Sequence, residues 1–372
     1  MKAGPIIVGM SGGVDSSVAA LRLLEAGHEV HGLFMSNWAE DEQGYCQAAE
    51  DFQDARAVCE LLGIPLHRAD FARAYRERVF ADFLAGYRAG LTPNPDVLCN
   101  REIKFGTFLA HALRLGAQCI ATGHYARTDG HGRLLRAADA GKDQTYFLHA
   151  VAGDALRRTL FPLGGLLKRE VRAIARTGGL PNHDRKDSTG ICFIGERPFA
   201  EFLARYVDDE PGEIEDAEGR RLGRHQGLSR YTLGQRQGLR VGGVAGAGDS
   251  PWYVAGKDRH RNVLIVVQGR DHPRLFHATL MASGPHWIGG APPEFPLACT
   301  ARTRHRQPDQ PCRVEALADG RLGVRFDSPQ RALTPGQFIV FYDGEICLGG
   351  ARITAVGVVL GQPAPLSRRE SA

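Results

Sequence analysis

Through residue 206 the apolar positions of this chain switch between short continuous runs and helical spacing. Pro5-Ile6-Ile7-Val8 is a run of the buried-strand type, and it gives way to GMSGGVDSS, Gly9 to Ser17. Residues 17–25 (SVAALRLLE) have helix composition, with Gly27 placed to cap them. Residues 30–34 (VHGLF) predict a second strand, 50–62 a helix ending at Gly63, 64–69 an extended run and 71–88 a helix. Residues 103–115 predict an amphipathic helix stopped by Gly116. Residues 118–122 (QCIAT) predict a buried strand ending in Gly123-His124. Further helices are expected over 169–176 and 198–206. Strand–helix alternation of this kind predicts a parallel sheet with helices on both faces. Ligands of such sheets bind off the carboxyl ends of strands, where GMSGG and TGHY both fall.

The pattern changes after residue 207. Short β-branched runs take over at 253–255, 262–267, 313–315, 322–326, 337–342, 346–348 and 351–359, separated by turn residues. The expectation is an α/β parallel-sheet domain over 1–206, a central β-rich domain over 207–280, a C-terminal β-barrel over 281–362 and a tail over 363–372. A length of 372 residues fits two or three domains.

Composition narrows the function classes. Apolar residues make up 43% and charged residues 24%, as in ordinary soluble proteins. No apolar run approaches membrane-spanning length and the start has no signal-peptide pattern, so no membrane partner and a cytoplasmic location are expected. The formal net charge of +4 permits a nucleic-acid partner without demanding one. The eight cysteines form no CxxC, so no structural metal site is expected. His28 and His31 would point to opposite faces of a strand and are read as non-ligands.

Three segments carry chemistry. In GMSGGVDSS, glycines let the chain turn tightly at a helix N-terminus, so that amides and the hydroxyls of Ser11, Ser16 and Ser17 face an anion. No Gly-Lys-Ser/Thr follows, so this is not a Walker A loop; it suits ATP cleaved between its α and β phosphates. Asp15 reads either as a holder of Mg²⁺ against the phosphates or as a helix cap. The second segment is TPNPDVLCNREIKF, residues 92–105. Its prolines hold Asn94, Pro95 and Asp96 in a stiff extended turn, and Cys99 precedes a helix expected to start near Arg101. A thiol there gains thiolate character from the helix end, with Arg101 and Lys104 adding positive potential, or it is a buried small hydrophobe. Asp96 is a general acid or base, or a cap. The third segment is RKDSTGICFIGER, residues 185–197. Cys192 is either a thiol on a glycine-bounded loop that enters and leaves a site, or the filler of a buried strand. Two such cysteines beside an ATP-cleaving loop suggest that one carries sulfur and the other resolves the resulting disulfide.

In this order, SGGVDSS, TPNPDVLCNREIKFG, ATGHYAR, GKDQTYFL, STGICFIGER and LGQRQGL resemble the bacterial tRNA-specific 2-thiouridylases, within the pyrophosphatase-loop ATP enzyme superfamily. The resemblance runs from about residue 6 to about 357. It implies an adenine nucleotide alpha-hydrolase-like first domain. It implies ATP, with Mg²⁺, adenylating O2 of uridine 34 of tRNA before sulfur replaces that oxygen. Cys99 matches the family's nucleophilic cysteine and Cys192 the one that bears the persulfide, with a Cys99–Cys192 disulfide left after turnover. Gly9, Met10, Ser11, Gly12, Gly13, Val14, Asp15, Ser16, Met35 and Gly123 match ATP contacts. Asn94, Pro95 and Asp96 match the segment touching the target base. His124, Lys142, Asp143, Gln144 and Gln337 match tRNA-contacting positions. The family commonly has an Arg-Tyr pair that touches tRNA where this chain reads Arg304-His305, and His305 can still stack on a base or bond a phosphate. A persulfide sulfur carrier or a cysteine desulfurase relay is the implied donor. Arginine-rich stretches 220–240 and 302–331 are the expected RNA-facing surfaces. Three rivals are an amide-forming enzyme with the same loop, which would need neither cysteine, a 4-thiouridine synthetase, which would be expected to carry an RNA-binding module ahead of the loop, and a tRNA-binding protein with no catalysis.

Overall fold

The computed structural model describes residues 4–38, 47–186, 199–242 and 248–358. Strands β1 (Ile6–Met10), β2 (Val30–Ser36), β3 (Leu66–Asp70) and β4 (Cys119–Ala121) form a parallel sheet. A short hairpin follows, β5 (Arg127–Thr128) and β6 (Leu134–Leu135). β7 (Thr159–Leu160) then closes the sheet in the order β3-β2-β1-β4-β7. β1 is buried along its whole length. Strand order runs one way from β1 to β3 and the other way from β1 to β7. The crevice between the carboxyl ends of β1 and β4 is therefore the topological switch point. Helix α1 (Val14–Glu25) and the Lys168–Thr177 helix bury Val18, Ala19, Val171 and Ala175 against one face of the sheet. The cysteine-bearing helix and the rod that runs from Ala72 to Arg88 cover the other face.

One helix departs from expectation. The one expected to begin near Arg101 starts at Pro95 and runs through Pro95–Leu98, a π-helical stretch Cys99–Phe108, and Leu109–Arg114. Asn94 is the extended residue before it. Proline fits the first helical position because its missing N–H would be unsatisfied there and its φ is already helical. The segment read as a stiff turn is thus a helix start.

The central unit contains β8 (Gly212–Glu215), β9 (Arg221–His225), β10 (Trp252–Asp258) and β11 (Val263–Gln268), ordered β10-β11-β8-β9 around Ile214, Leu228, Val254, Leu264 and Val266. The barrel is β12 (Phe276–Trp287), β13 (Leu297–Arg302), β14 (Gln310–Ala316), β15 (Leu322–Arg331), β16 (Phe338–Asp343) and β17 (Ile346–Val356). Its order β12-β15-β14-β13-β16-β17 closes through a β12–β17 pairing.

Two corrections follow. Residue 280 lies inside β12, so the break between the last two units falls in the turn before Phe276 rather than at 280. The run at 346–348 and the start of the run at 351–359 are one strand, β17. The glycine pair between them is read as a turn from sequence, but β12 presses so close that a Cβ on Gly349 would strike the His286 carbonyl. The units also share material: β6 pairs with the start of β17, and Phe338, Val340 and Tyr342 of the barrel join the core around Ile103 and Tyr146. Among the described residues no helix is long and apolar enough to cross a membrane.

Candidate active site

The loop after β1 is braced mainly from within. Gly13 caps α1 in an extended conformation. Ser16 and Ser17 are buried, and both hydroxyls donate to the Gly13 carbonyl at 3.0 Å. The Ser11 amide donates to Ser16 Oγ at 3.2 Å. Only Ser11 of the three serines stands exposed, so the anion-facing donors are mostly backbone amides. Gly12 has φ +76°, and a Cβ there would meet the Asp51 carbonyl of α2 (Gln47–Leu62). A side chain at Gly123 would stand 2.7 Å from Asp15 C and Ser16 N, so the turn after β4 abuts the first turn of α1. Gly9 has the Phe108 ring 3.3 Å and Met35 Cε 3.5 Å from where a Cβ would sit. Phe108 belongs to the cysteine-bearing helix, so that helix packs against the end of β1, where the chain enters the nucleotide loop.

Asp15 is engaged. Lys168 Nζ reaches both its oxygens at 2.7 and 2.8 Å, and the Tyr125 hydroxyl donates to Oδ1 at 2.9 Å. The cap of α1 is Gly13, so Asp15 is not the helix cap; its carboxylate carries the Lys168 ammonium. The described residues contain no group of three or more His, Cys, Asp or Glu able to hold a metal ion. An Mg²⁺ shared with ATP phosphates needs only one or two protein carboxylates, and Asp15, beside the Lys168 ammonium, is the carboxylate that the loop offers. Sequence reasoning missed Lys168 because it lies 153 residues from Asp15, at the start of an ordinary-looking helix. The usable signal was an aspartate in an anion-binding loop, which requires a cation nearby.

Cys99 is buried one turn into its helix, its amide already bonded to the Pro95 and Asp96 carbonyls. The helix-end argument for thiolate therefore weakens, because that field falls off within the first turn. Asp96 sits one turn before Cys99, and burial raises its carboxyl while Lys104 opposes the rise. His124 holds Thr122 Oγ1 at 2.8 Å through Nδ1 and lies 3.5 Å from Lys104 Nζ through Nε2. Burial, and then the Lys104 charge, hold its pKa well below the usual value, so the imidazole is neutral. Asp96, Lys104 and His124 thus form one electrostatic group, with Cys99 buried one turn after Asp96 on the same helix.

The barrel reaches this helix through Gln337. Its Nε2 donates to the Thr92 carbonyl at 2.8 Å, and its Oε1 accepts from Asn94 Nδ2 at 3.4 Å. Beside it a cavity of about 330 Å³ is lined by Thr232, Gly234, Gln235, Arg304 and Thr334. Arg304 is exposed and bridges the Leu233 and Ala332 carbonyls at 3.2 and 2.9 Å. His305 turns inward: Nε2 holds the Asp143 carbonyl at 2.7 Å and the ring lies 4.5 Å from that of Phe147. Asp143 is buried, accepting from Thr145 Oγ1 at 2.8 Å and the Ala137 amide at 3.1 Å. Its side chain faces the barrel junction and not the surface. Gln144 accepts from the Tyr125 amide at 2.8 Å, and Lys142 is half-exposed. The Cys192 position lies outside the described residues, and so does its meeting with Cys99.

Family models match nearly the whole chain: a tRNA methyl transferase HUP domain over residues 4–196, a tRNA methyl transferase PRC-barrel domain over 200–268 and an aminomethyltransferase beta-barrel domain over 277–353. The tRNA-specific 2-thiouridylase MnmA of Alcanivorax borkumensis is 60% identical over 351 residues, 94% of this chain and 96% of that protein. Those of Pseudomonas paraeruginosa and Hahella chejuensis are each 58% identical, over 94% of this chain and 94% and 97% of theirs. A solved 4-thiouridine synthetase–RNA complex with bound ATP aligns over 55% of this chain and 50% of its own at 17% identity and TM-score 0.33, a likeness too slight to bear on the site. With loop, cysteine helix and barrel matched end to end by such relatives, this chain belongs to the tRNA-specific 2-thiouridylase family.

Proposed function

We propose that this chain is an ATP-dependent tRNA-uridine 2-sulfurtransferase acting on the wobble uridine. The observation that supports the reading is the packing of Phe108, on the Cys99 helix, against Gly9 near the end of β1, because it brings that helix against the strand that leads into the nucleotide loop. ATP makes the uridine 2-oxygen a leaving group: O2 attacks the α phosphorus, pyrophosphate departs, and C2 becomes electrophilic. The amides of Gly9–Ser16 and the Lys168 ammonium hold the triphosphate, with Met35 and Gly123 at its borders. Asp15 would be the side chain to hold an Mg²⁺ that neutralises the phosphates. Asn94, Pro95 and Asp96 receive the base. Asp96, its carboxyl raised, serves as the acid or base next to Cys99.

Sulfur arrives as a Cys192 persulfide, loaded by a sulfur carrier or a desulfurase relay in the cytoplasm. Two routes balance. In one, the terminal sulfur attacks C2, AMP leaves, and Cys99 then attacks Cys192 Sγ to release the thiocarbonyl. In the other, Cys99 attacks Cys192 Sγ first, freeing sulfide that displaces AMP at C2. Both end in a Cys99–Cys192 disulfide that a reductant must open. On the tRNA side, Lys142, Gln144, His124, Arg304 and Gln337 offer surface, while Asp143 and His305 contribute backbone and packing. Incubating the protein with ATP, Mg²⁺, a persulfide donor and tRNA, then analysing wobble nucleosides by mass, should yield 2-thiouridine. Cys99→Ser and Cys192→Ser should each abolish it; full activity in either variant overturns the reading.

A further inference from the structure

The chain that leads to Cys192 leaves from the nucleotide loop itself. Asn182 is buried, and its Nδ2 donates to the Gly12 carbonyl at 2.7 Å and to Ser17 Oγ at 2.9 Å. Arg185 Nη1 reaches the same carbonyl at 3.4 Å. The Arg185 fork then pairs with Asp51 and Asp54, one helical turn apart on α2. From the other side, Arg172 Nη1 donates to the His183 and Arg185 carbonyls at 3.3 and 3.1 Å. Arg172 lies on the helix that begins with Lys168, the residue that holds Asp15. Residues 182–185 are therefore fastened to the loop, to α2 and to the Lys168 helix at once.

Two carboxylates on one guanidinium leave Arg185 with no net positive charge to offer an anion. The arrangement suits a register and not a phosphate contact. Cys192 lies seven residues further along. A chain of that length spans at most about 25 Å, so the point of departure constrains where the thiol can be delivered.

We propose that Arg185 is a positioning residue that fixes the exit of the Cys192-bearing chain relative to the nucleotide loop, coupling sulfur delivery to ATP cleavage. The inference rests on the thiolation reading above. Without the register, adenylated uridine forms but meets water in place of sulfur. Water then adds at C2, AMP leaves, and the 2-carbonyl returns.

The test measures pyrophosphate release and 2-thiouridine formation in the same reaction, for the full-length protein and for Arg185→Gln, Arg185→Lys and Asp54→Asn. In Arg185→Gln, thiolation should fall by up to about 10²-fold, as for a reacting group misplaced by about 1 Å, while pyrophosphate release stays within about threefold. Arg185→Lys keeps one ion pair and should recover part of the coupling, and Asp54→Asn should lose part of it. A thermal melt confirms that each variant is folded. An unchanged ratio of pyrophosphate to thiolated product in Arg185→Gln overturns the proposal, and so does a parallel loss of both activities. If the unaltered protein yields neither pyrophosphate nor 2-thiouridine, the thiolation reading has failed instead.

Discussion

The nucleotide loop and the seam between barrel and cysteine helix hold their shapes over different distances along the chain. In the loop, Ser11, Gly13, Ser16 and Ser17 bond to one another across three to five residues. At the seam, Gln337 reaches Thr92 across 245 residues and Asn94 across 243. A local motif survives in the sequence as a string, because the residues that fold it are the residues that function. A seam has no such string: its partners become neighbours only after two units dock. The loop should therefore fail through chemistry when altered, and the seam through affinity and stability.

The largest expected effect lies in the loop. Lys168→Met removes the cation that holds Asp15 and leaves an anion beside the phosphates. Pyrophosphate release should drop roughly 10²–10³-fold, the scale seen when one preorganised electrostatic donor is lost. Unchanged release would show that Asp15 and Lys168 form only a structural pair, and the loop would lose its claim to act through charge.

Next comes acid. His149 is buried at the seam, with Nδ1 2.7 Å from the Tyr146 carbonyl and its ring 5.0 Å from that of Phe338. Burial pushes its pKa down to about 4 from the ordinary 6.5. The unfolded chain takes up the proton near pH 6.5 and the folded one only near 4. The neutral ring's contribution is thus present above 6.5 and lost as pH falls through that window, on the order of 3 kcal/mol. Burial likewise lowers His286 and His305 at the same junction. Hydrogen exchange between pH 7 and 4.5 should show β16 and β17 loosening before β1. Simultaneous loosening would erase the distinction between the two regions.

How much was legible follows the same division. The parallel sheet and the loop after β1 were readable because period and motif are local. Lys168, Asn182 and Arg185 were not, although all three touch the loop or its aspartate, because each sits far from it in sequence. The start of the cysteine helix was misread because Pro95 signals a turn and a helix start equally well without its tertiary setting. β12 was missed as a strand because it contains Gly284 and Pro285, residues that punctuate most strands but sit here at a register shift.

A smaller effect is expected from Gln337→Ala. Two hydrogen bonds from one side chain are lost, each worth about 1 kcal/mol. The Thr92–Asn94 segment should loosen and KM for tRNA should rise about five- to tenfold, with the pyrophosphate released per thiolated uridine unchanged. A change in that ratio instead would place Gln337 with the chemistry.

The smallest effect separates two adjacent residues. Arg304 is exposed beside the 330 Å³ cavity, whereas His305 points into the junction toward Asp143 and Phe147. His305→Phe keeps the ring packing and loses one bond to a backbone carbonyl. The melting temperature should fall by about 2–4 °C, with the salt dependence of tRNA binding unchanged. Arg304→Gln should do the reverse, leaving the melt nearly fixed while the slope of log affinity against log salt falls by about one. If His305→Phe alone flattened that slope, the inward histidine would have to turn out to meet RNA, and the seam would be a binding surface in its own right.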